Sequence, residues 1–193
     1  YPRVRINLFS CFTSKLKEGF ARGDFDVILT TEAAPGAGGE RLATRKLVWI
    51  GAPDGIAWQQ RPLRLAFVET CFFRPIAQAA LNGAGIRWEM AVGGESEQVA
   101  QATVTADLSI SARMEGALPQ GAVAIEGANA LPGLGDLDIC LYQANVQKGE
   151  VMDKLLTQLR CAYGDAQCCL RVISGEAASE GDNHLAGRLT AAE

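Results

Sequence analysis

The stretch LRLAFVETCFFRPIAQAALNGAGIRWEMAV, residues 63–92, predicts a strand, a helix and a second strand in succession. Leu63–Val68 is a short apolar run of the kind that forms buried strands. Gly83 and Gly85 end the helix. Ile86–Val92 alternates again and predicts the second strand. The apolar residues between the two strands have helical spacing: Phe73, Ile76, Ala77, Ala80 and Leu81.

An equivalent unit is predicted nearer the start of the chain. Arg5–Phe9 alternates polar and apolar residues and predicts a strand. A helix follows from Phe12 to the stop at Gly23. Asp26–Thr30 predicts a strand buried on both faces. Strand, helix and strand over this length imply parallel strands and a right-handed crossover.

The remaining patterns extend the α/β alternation. Ser96 is a predicted N-cap, and Val99, Ala102, Thr103 and Ala106 form the predicted buried stripe of its helix. A last amphipathic helix is predicted over 150–163, with apolar residues Val151, Met152, Leu155, Leu156, Leu159 and Ala162. Further strands are predicted at Lys46–Ala52, Leu108–Ser111, Ala122–Glu126 and Leu137–Tyr142.

Repeated α/β units predict an α/β fold of two Rossmann-like lobes. The proximal lobe is predicted from 1–52 and 131–164, the distal lobe from 53–130, and a mobile tail from 165–193. The chain crosses between lobes twice in this scheme, which makes a two-stranded hinge beside a cleft for a small molecule.

Composition narrows the functional classes. The net charge is −4, and no basic stripe of the kind that binds DNA is present in the sequence. The lone histidine, His184, lies in a polar terminal segment, which argues against zinc sites and His-based catalysis. We therefore expect no cofactor, no metal and no enzymatic activity. Six cysteines without a CxxC pair, and no membrane span or signal peptide, favour the reducing cytoplasm.

Several segments, in fixed order, resemble the effector-binding domain of LysR-type transcription regulators. Gly23-Asp24-Phe25-Asp26-Val27 resembles the stretch of those domains in which a glycine precedes an Asp-Val pair, and Leu47-Val48-Trp49-Ile50 resembles their first interlobe strand. The other matching segments are Cys71-Phe72-Phe73-Arg74-Pro75, Gly85-Ile86-Arg87-Trp88, Val104-Thr105-Ala106-Asp107-Leu108-Ser109-Ile110 and Leu131-Pro132-Gly133-Leu134 with Asp138-Ile139-Cys140-Leu141.

The resemblance implies the fold, partners and mechanism of that family. The fold would be that of type 2 periplasmic binding proteins. A small-molecule effector, with a carboxylate as one candidate class, would bind between the lobes and rearrange a homodimer or homotetramer. DNA would be bound only through an N-terminal winged helix-turn-helix that is absent from this chain, and no membrane would be involved.

Two features depart from the family pattern. Asp107 and Ser109 stand where the family has glycines, and Asp107 is expected to tolerate a left-handed backbone at the helix end. The first strand and helix of the proximal lobe also lack counterparts, since residues 1–4 match the end of that helix. We expect the intact protein to carry them.

Ligands of open α/β sheets bind beyond the carboxyl ends of strands, where helices begin. Effector contacts are therefore predicted at Ser10, Thr13, Ser14, Thr31, Thr70, Cys71, Glu95 and Ser96. Helix capping explains the hydroxyl residues equally well, and solvation explains the glutamate. Cys11 and Cys71 both begin predicted helices, so a redox role is a further hypothesis.

Two other classes of protein use the same two-lobed fold. A solute-binding protein of a transporter shares the two-lobed architecture and would begin with an export signal rather than a helix-turn-helix. A metabolic enzyme on the same fold needs a phosphate loop or a metal-spaced acid cluster, and the sequence has neither. The sequence leaves the effector, the target genes and the sign of regulation open.

Overall fold

A computed structural model describes residues 5–126, 131–145 and 149–164. The helices in these ranges are α1 (Thr13–Arg22), α2 (Phe73–Gly83), α3 (Glu97–Thr105) and α4 (Glu150–Tyr163). The strands are β1 (Val27–Glu32), β2 (Glu40–Gly51), β3 (Leu63–Leu65), β4 (Trp88–Met90), β5 (Ser111–Met114), β6 (Val123–Ala124) and β7 (Asp136–Gln143). None of these helices is both long enough and apolar enough to cross a membrane.

The chain divides into two compact units. Unit 1 contains the described residues up to Thr44 and from Asp138 onward, and unit 2 is Arg45–Leu137. The chain passes from one unit to the other within β2 and returns within β7. The lobe boundaries expected at 52 and 131 stay a prediction, and the tail 165–193 lies outside the described residues.

Unit 1 is built on the antiparallel pairing of β1 with β7, in which Thr30 lies opposite Cys140. β7 is buried at most positions because helices cover it. Leu16 of α1 packs with Ile28, Cys140 and Tyr142, whereas Leu156 and Leu159 of α4 pack with Leu141. Alternate β7 residues thus face different clusters, as the two-residue period of a strand requires.

Unit 2 contains the strand–helix–strand unit predicted from residues 63–92. β3 and β4 are parallel, with Leu63 opposite Trp88 and α2 as the crossover. β2 pairs antiparallel with β5 and with β6. α3 packs Ala100 and Val104 against Ile50, Ala66 and Val92.

The strand predicted at Arg5–Phe9 is wrong. These residues form no strand, and Ile6, Leu8 and Phe9 are 62%, 77% and 74% exposed. The parallel pairing expected for the first unit is also wrong, because the strand paired with β1 is the antiparallel β7. Alternation identifies an extended segment, but a strand also needs a neighbouring strand to bond to its backbone.

The predicted faces and ends of three other elements need correction. The predicted stripe on α3 is wrong, since Val99, Ala102 and Ala106 are exposed and Thr103 is half-buried. The strand expected at Leu108–Ser111 begins only at Ser111, and Leu108 is exposed. Ala162 of α4 is exposed as well. Small residues occur on both sides of α3, so periodicity alone had no strong preference between its faces.

Candidate functional site

The first predicted contact region is the start of α1 in unit 1. Thr13 and Thr31 are brought together there: the Thr31 N–H donates to Thr13 Oγ1 at 3.3 Å, and Thr13 Oγ1 lies 3.4 Å from the Thr31 carbonyl oxygen. Ser10 and Ser14 are exposed on either side of Thr13. The N-cap of α1 is Phe12, which makes no side-chain cap, and the first turn carries no acidic residue. This helix start therefore offers hydroxyls and backbone N–H groups to an anion.

A charged network that sequence reasoning missed lies beside this region. Glu32 accepts hydrogen bonds from Thr30 Oγ1 at 2.6 Å and from the Tyr142 hydroxyl at 2.8 Å, and it forms an ion pair with Lys17. The Tyr142 hydroxyl also accepts the Gly36 N–H at 2.8 Å. These contacts tie the end of β1 to α1 and β7, which holds Thr31 in place. The signal that could have revealed it is Lys17, one helical turn after Thr13.

The ionisation of this network follows from its contacts. Burial alone would raise the pKa of Glu32, but hydrogen bonds from Lys17, Thr30 and Tyr142 outweigh it and hold that pKa below its ordinary value. The hydrogen bond to Glu32 raises the pKa of Lys17, against the opposing effect of burial. The pair is therefore charged at neutral pH.

The second predicted region is the start of α2 in unit 2. Glu69 and Thr70 form an exposed turn. Cys71 is buried, and its N–H donates to the Val68 carbonyl at 3.2 Å. Thr70 can therefore meet a ligand from solvent, whereas Cys71 packs into the protein.

The third predicted region is the start of α3, where Ser96 caps the helix. Its Oγ accepts the Val99 N–H at 3.4 Å, so the predicted N-cap is confirmed. Glu95 and Ser96 are both exposed. Because β3 and β4 are parallel neighbours, their carboxyl ends lie at one edge of their sheet, and α2 and α3 begin beyond that edge. The Ser96 hydroxyl serves as a cap and can also contact a ligand.

Beneath the start of α3 lies a buried arginine that sequence reasoning did not single out. Arg113 of β5 forms an ion pair with Glu97, the first residue of α3. Its Nη1 donates to Ser111 Oγ at 3.3 Å, and Ser111 Oγ donates to the Ala66 carbonyl at 2.7 Å. Ala66 leads to the turn before α2, so this network connects the segments that carry both predicted regions of unit 2.

An open groove elsewhere in unit 2 is a poorer candidate. It is lined by Pro62, Asn82, Trp88 and neighbouring residues, and so lies at the amino ends of β3 and β4. Ligands of α/β sheets occupy the opposite, carboxyl ends.

The described cysteines offer little chemistry. Cys11, Cys71, Cys140 and Cys161 are thiols that form no disulfide bond. Burial, with smaller contributions from Glu32 and Asp138, raises the pKa of Cys140 to about 11, so this thiol stays protonated. Among the described residues, no group of three or more His, Cys, Asp and Glu side chains could hold a metal ion. Cys168 and Cys169 lie outside these residues.

Comparison with known proteins gives matches in structure only. No protein-family model and no curated protein matches the sequence. Solved structures match well. The regulatory domain of CcmR from Synechocystis PCC6803, in complex with 2-PG, shares 13% identity and a TM-score of 0.62, with 86% of each chain covered. The effector-binding domain of QuiR, in complex with shikimate, shares 15% identity and a TM-score of 0.58, with 83% of this chain and 81% of that one covered.

A longer regulator matches over the same part. HinK, a LysR family transcriptional regulator from Pseudomonas aeruginosa, shares 15% identity and a TM-score of 0.62, and the match covers 86% of this chain but 62% of HinK. The predicted α/β architecture is thereby confirmed. This chain has the fold of LysR-type regulatory domains, that of the type 2 periplasmic binding proteins.

Proposed function

We propose that this chain is the effector-sensing part of a LysR-type transcription regulator. The observation that carries the proposal is its match to regulatory domains over more than four-fifths of both chains, two of them with a small molecule bound. The chain would act by binding rather than by catalysis, in the cytoplasm of a bacterium. DNA contact would come from an N-terminal winged helix-turn-helix domain.

The eight residues predicted from the sequence are proposed for the effector site: seven of them as contacts, and the buried Cys71 as the residue that positions Thr70. Ser10, Thr13, Ser14 and Thr31 belong to unit 1, and Thr70, Cys71, Glu95 and Ser96 belong to unit 2. The start of α1 favours an anionic group, because the first turn of that helix has backbone N–H groups without intrahelical acceptors and no acidic side chain. A small carboxylate is therefore the first effector class to test.

A thermal-shift screen of small carboxylates, aromatics and amino acids tests the proposal. A ligand at 100 times its dissociation constant stabilises the folded chain by about 2.7 kcal/mol. Thr13→Val and Thr70→Val should each weaken the response to a hit, whereas Thr157→Val, at a partly exposed position of α4, should leave it unchanged. If a ligand stabilises both threonine variants as much as it stabilises the wild type, the effector contacts lie elsewhere.

We further propose that the effector acts through a homodimer or homotetramer. A ligand can do this only if it binds the two arrangements of the oligomer with different affinities. Light scattering gives the oligomeric state, and small-angle scattering with and without a saturating hit tests for rearrangement. Identical scattering curves would contradict this part of the proposal.

A solute-binding protein is the alternative from another class. No feature of the described residues favours it over a regulator, and the solved structures reported above are regulators or their domains. The N-terminus of the full-length protein separates the two: a helix-turn-helix supports the regulator, and an export signal supports the solute-binding protein.

A further inference from the structure

Arg113 occupies a position where an apolar residue would be expected. All four residues of β5 are buried, and the Arg113 side chain is 5% exposed. In the β2–β5 pair, Arg113 lies opposite Val48 in the interior of unit 2. A buried guanidinium is costly unless charged and polar groups surround it, so its retention at this position requires a reason.

The guanidinium is held by neutral buried acceptors on one side and by a partly exposed carboxylate on the other. On the inner side, Nη1 donates to the Ala112 carbonyl at 2.8 Å and to Ser111 Oγ at 3.3 Å. On the outer side, Nη2 donates to the carboxylate of Glu97, whose side chain is 38% exposed. The cation is thus fixed, whereas its carboxylate partner can rotate into water.

The place that Glu97 fills is suited to other carboxylates. The space that the Glu97 carboxylate occupies has the size of one carboxylate group. It lies against a guanidinium, which binds carboxylates with high directionality. It also lies at the first turn of α3, where the leading backbone N–H groups lack intrahelical acceptors. An incoming carboxylate would keep the buried charge neutralised after Glu97 leaves.

We propose that Arg113 is the anion-binding residue of unit 2, and that Glu97 occupies its site until the carboxylate of an effector replaces it. This inference rests on the proposed effector-sensing function and assigns a residue and a ligand class to it. Glu97 is then an internal competitor of the effector. The exchange frees the side chain of the first residue of α3, immediately after the predicted contacts Glu95 and Ser96.

The inner contacts of Arg113 give the exchange a route to the other predicted region of unit 2. Ser111 Oγ accepts from Arg113 and donates to the Ala66 carbonyl, so the three groups form one directed chain of hydrogen bonds. Ala66 also donates its N–H to the Ile110 carbonyl at 2.8 Å. An exchange of the carboxylate bound to Arg113 therefore acts, through this chain of hydrogen bonds, on the segment that leads to Thr70.

Titration of the 193-residue chain with sodium acetate, at constant ionic strength kept with sodium chloride, tests the inference. The probe is the side-chain Nε–H resonance of Arg113 in nitrogen–proton NMR spectra, assigned by its loss in Arg113→Met. Glu97→Gln removes the competing charge and should tighten acetate binding about fivefold, the upper range for a partly exposed ion pair. Glu89→Gln makes the same change of net charge at an exposed position of unit 2 and should bind as the wild type does.

The outcomes separate this inference from the proposed function. Tighter acetate binding by Glu97→Gln, with a saturable shift at Arg113, supports the inference. Equal binding by the wild type, Glu97→Gln and Glu89→Gln overturns it, and this comparison holds even if Arg113→Met does not fold. An effector from the thermal-shift screen that binds wild type and Arg113→Lys alike also overturns it, while leaving the proposed function standing.

Discussion

Asp107 shows how one side chain can satisfy two structural demands. It follows α3 with a φ of 55°, in the left-handed region that few residues other than glycine, asparagine and aspartate adopt. Its carboxylate also accepts the N–H groups of Ile56 and Ala57, each at 2.9 Å, and so caps the short 3-10 turn Ala57–Gln59. The tolerance expected from the sequence is confirmed, and the two hydrogen bonds show what the aspartate side chain adds at this position.

Asp107→Ala should lower the free energy of unfolding by about 1–2 kcal/mol, because it removes a cap and leaves a left-handed residue without its hydrogen bonds. Asp107→Asn keeps an acceptor and the backbone tolerance, so it should lose less. Urea unfolding of the three proteins measures both differences. Equal stability of wild type and Asp107→Ala would contradict the capping role.

The lowered pKa of Glu32 predicts that the free energy of unfolding depends on pH. Since its pKa is lowered from 4.5 on folding, the stability it contributes is present above that ordinary value and is lost as the pH falls through the lowered one. Glu32→Gln should therefore flatten the acid limb of the plot of unfolding free energy against pH. The matched control is Glu18→Gln on the exposed side of α1, which should keep the wild-type slope. Parallel acid limbs for wild type and Glu32→Gln would refute the assignment.

At the scale of elements, α3 is the helix whose orientation was hardest to infer. Its sequence EQVAQATVT places Val99 and Val104 on different sides, and small residues surround both. Contact with Ile50, Ala66 and Val92 selects the side of Ala100 and Val104. By contrast, Gly23 ends α1 with a φ of 86° in the way that the sequence predicts.

Paired valine substitutions test the orientation of α3. Val104 is 1% exposed and Val99 is 51% exposed. Val104→Ala should cost about 1–2 kcal/mol, because it removes two buried methyl groups and leaves a cavity. Val99→Ala should stay within about 0.5 kcal/mol of wild type. Urea unfolding measures both losses of stability. A larger loss for Val99→Ala than for Val104→Ala would mean that the stripe predicted from the sequence is the buried one.

At the scale of the whole molecule, charge governs the partners that the chain can bind unaided. With 22 acidic against 18 basic residues, it carries a net charge of −4. Binding to DNA depends on basic side chains that neutralise phosphates, so a chain of this charge gains little from that contact. We therefore expect the chain by itself to bind DNA weakly.

The 193-residue chain should therefore leave the fluorescence anisotropy of a labelled DNA duplex unchanged at physiological salt. A basic DNA-binding domain at the same concentration is the positive control. A salt-dependent rise in anisotropy with this chain alone would contradict the prediction, since it would reveal a phosphate-binding surface that the composition does not suggest.

Part of the candidate site could be predicted from the sequence and part could not. The sequence located α1, α2 and α3, because helical periodicity, the Ser96 cap of α3 and the glycine that ends α1 are local signals. It missed the Glu32 network, whose members Lys17, Thr30 and Tyr142 come from three distant segments. It also missed Arg113, since burial of a charge is decided by neighbours far along the chain.

The sequence by itself determined the α/β class, the strand–helix–strand unit of residues 63–92 and the four helices. These follow from local periodicity, turn residues and composition, which need no knowledge of neighbours in space. Only the tertiary structure decided that β1 pairs antiparallel with β7, that residues 5–9 form no strand and that α3 buries Val104. Strand pairing and burial are contacts between distant segments, and only the folded chain brings those segments together.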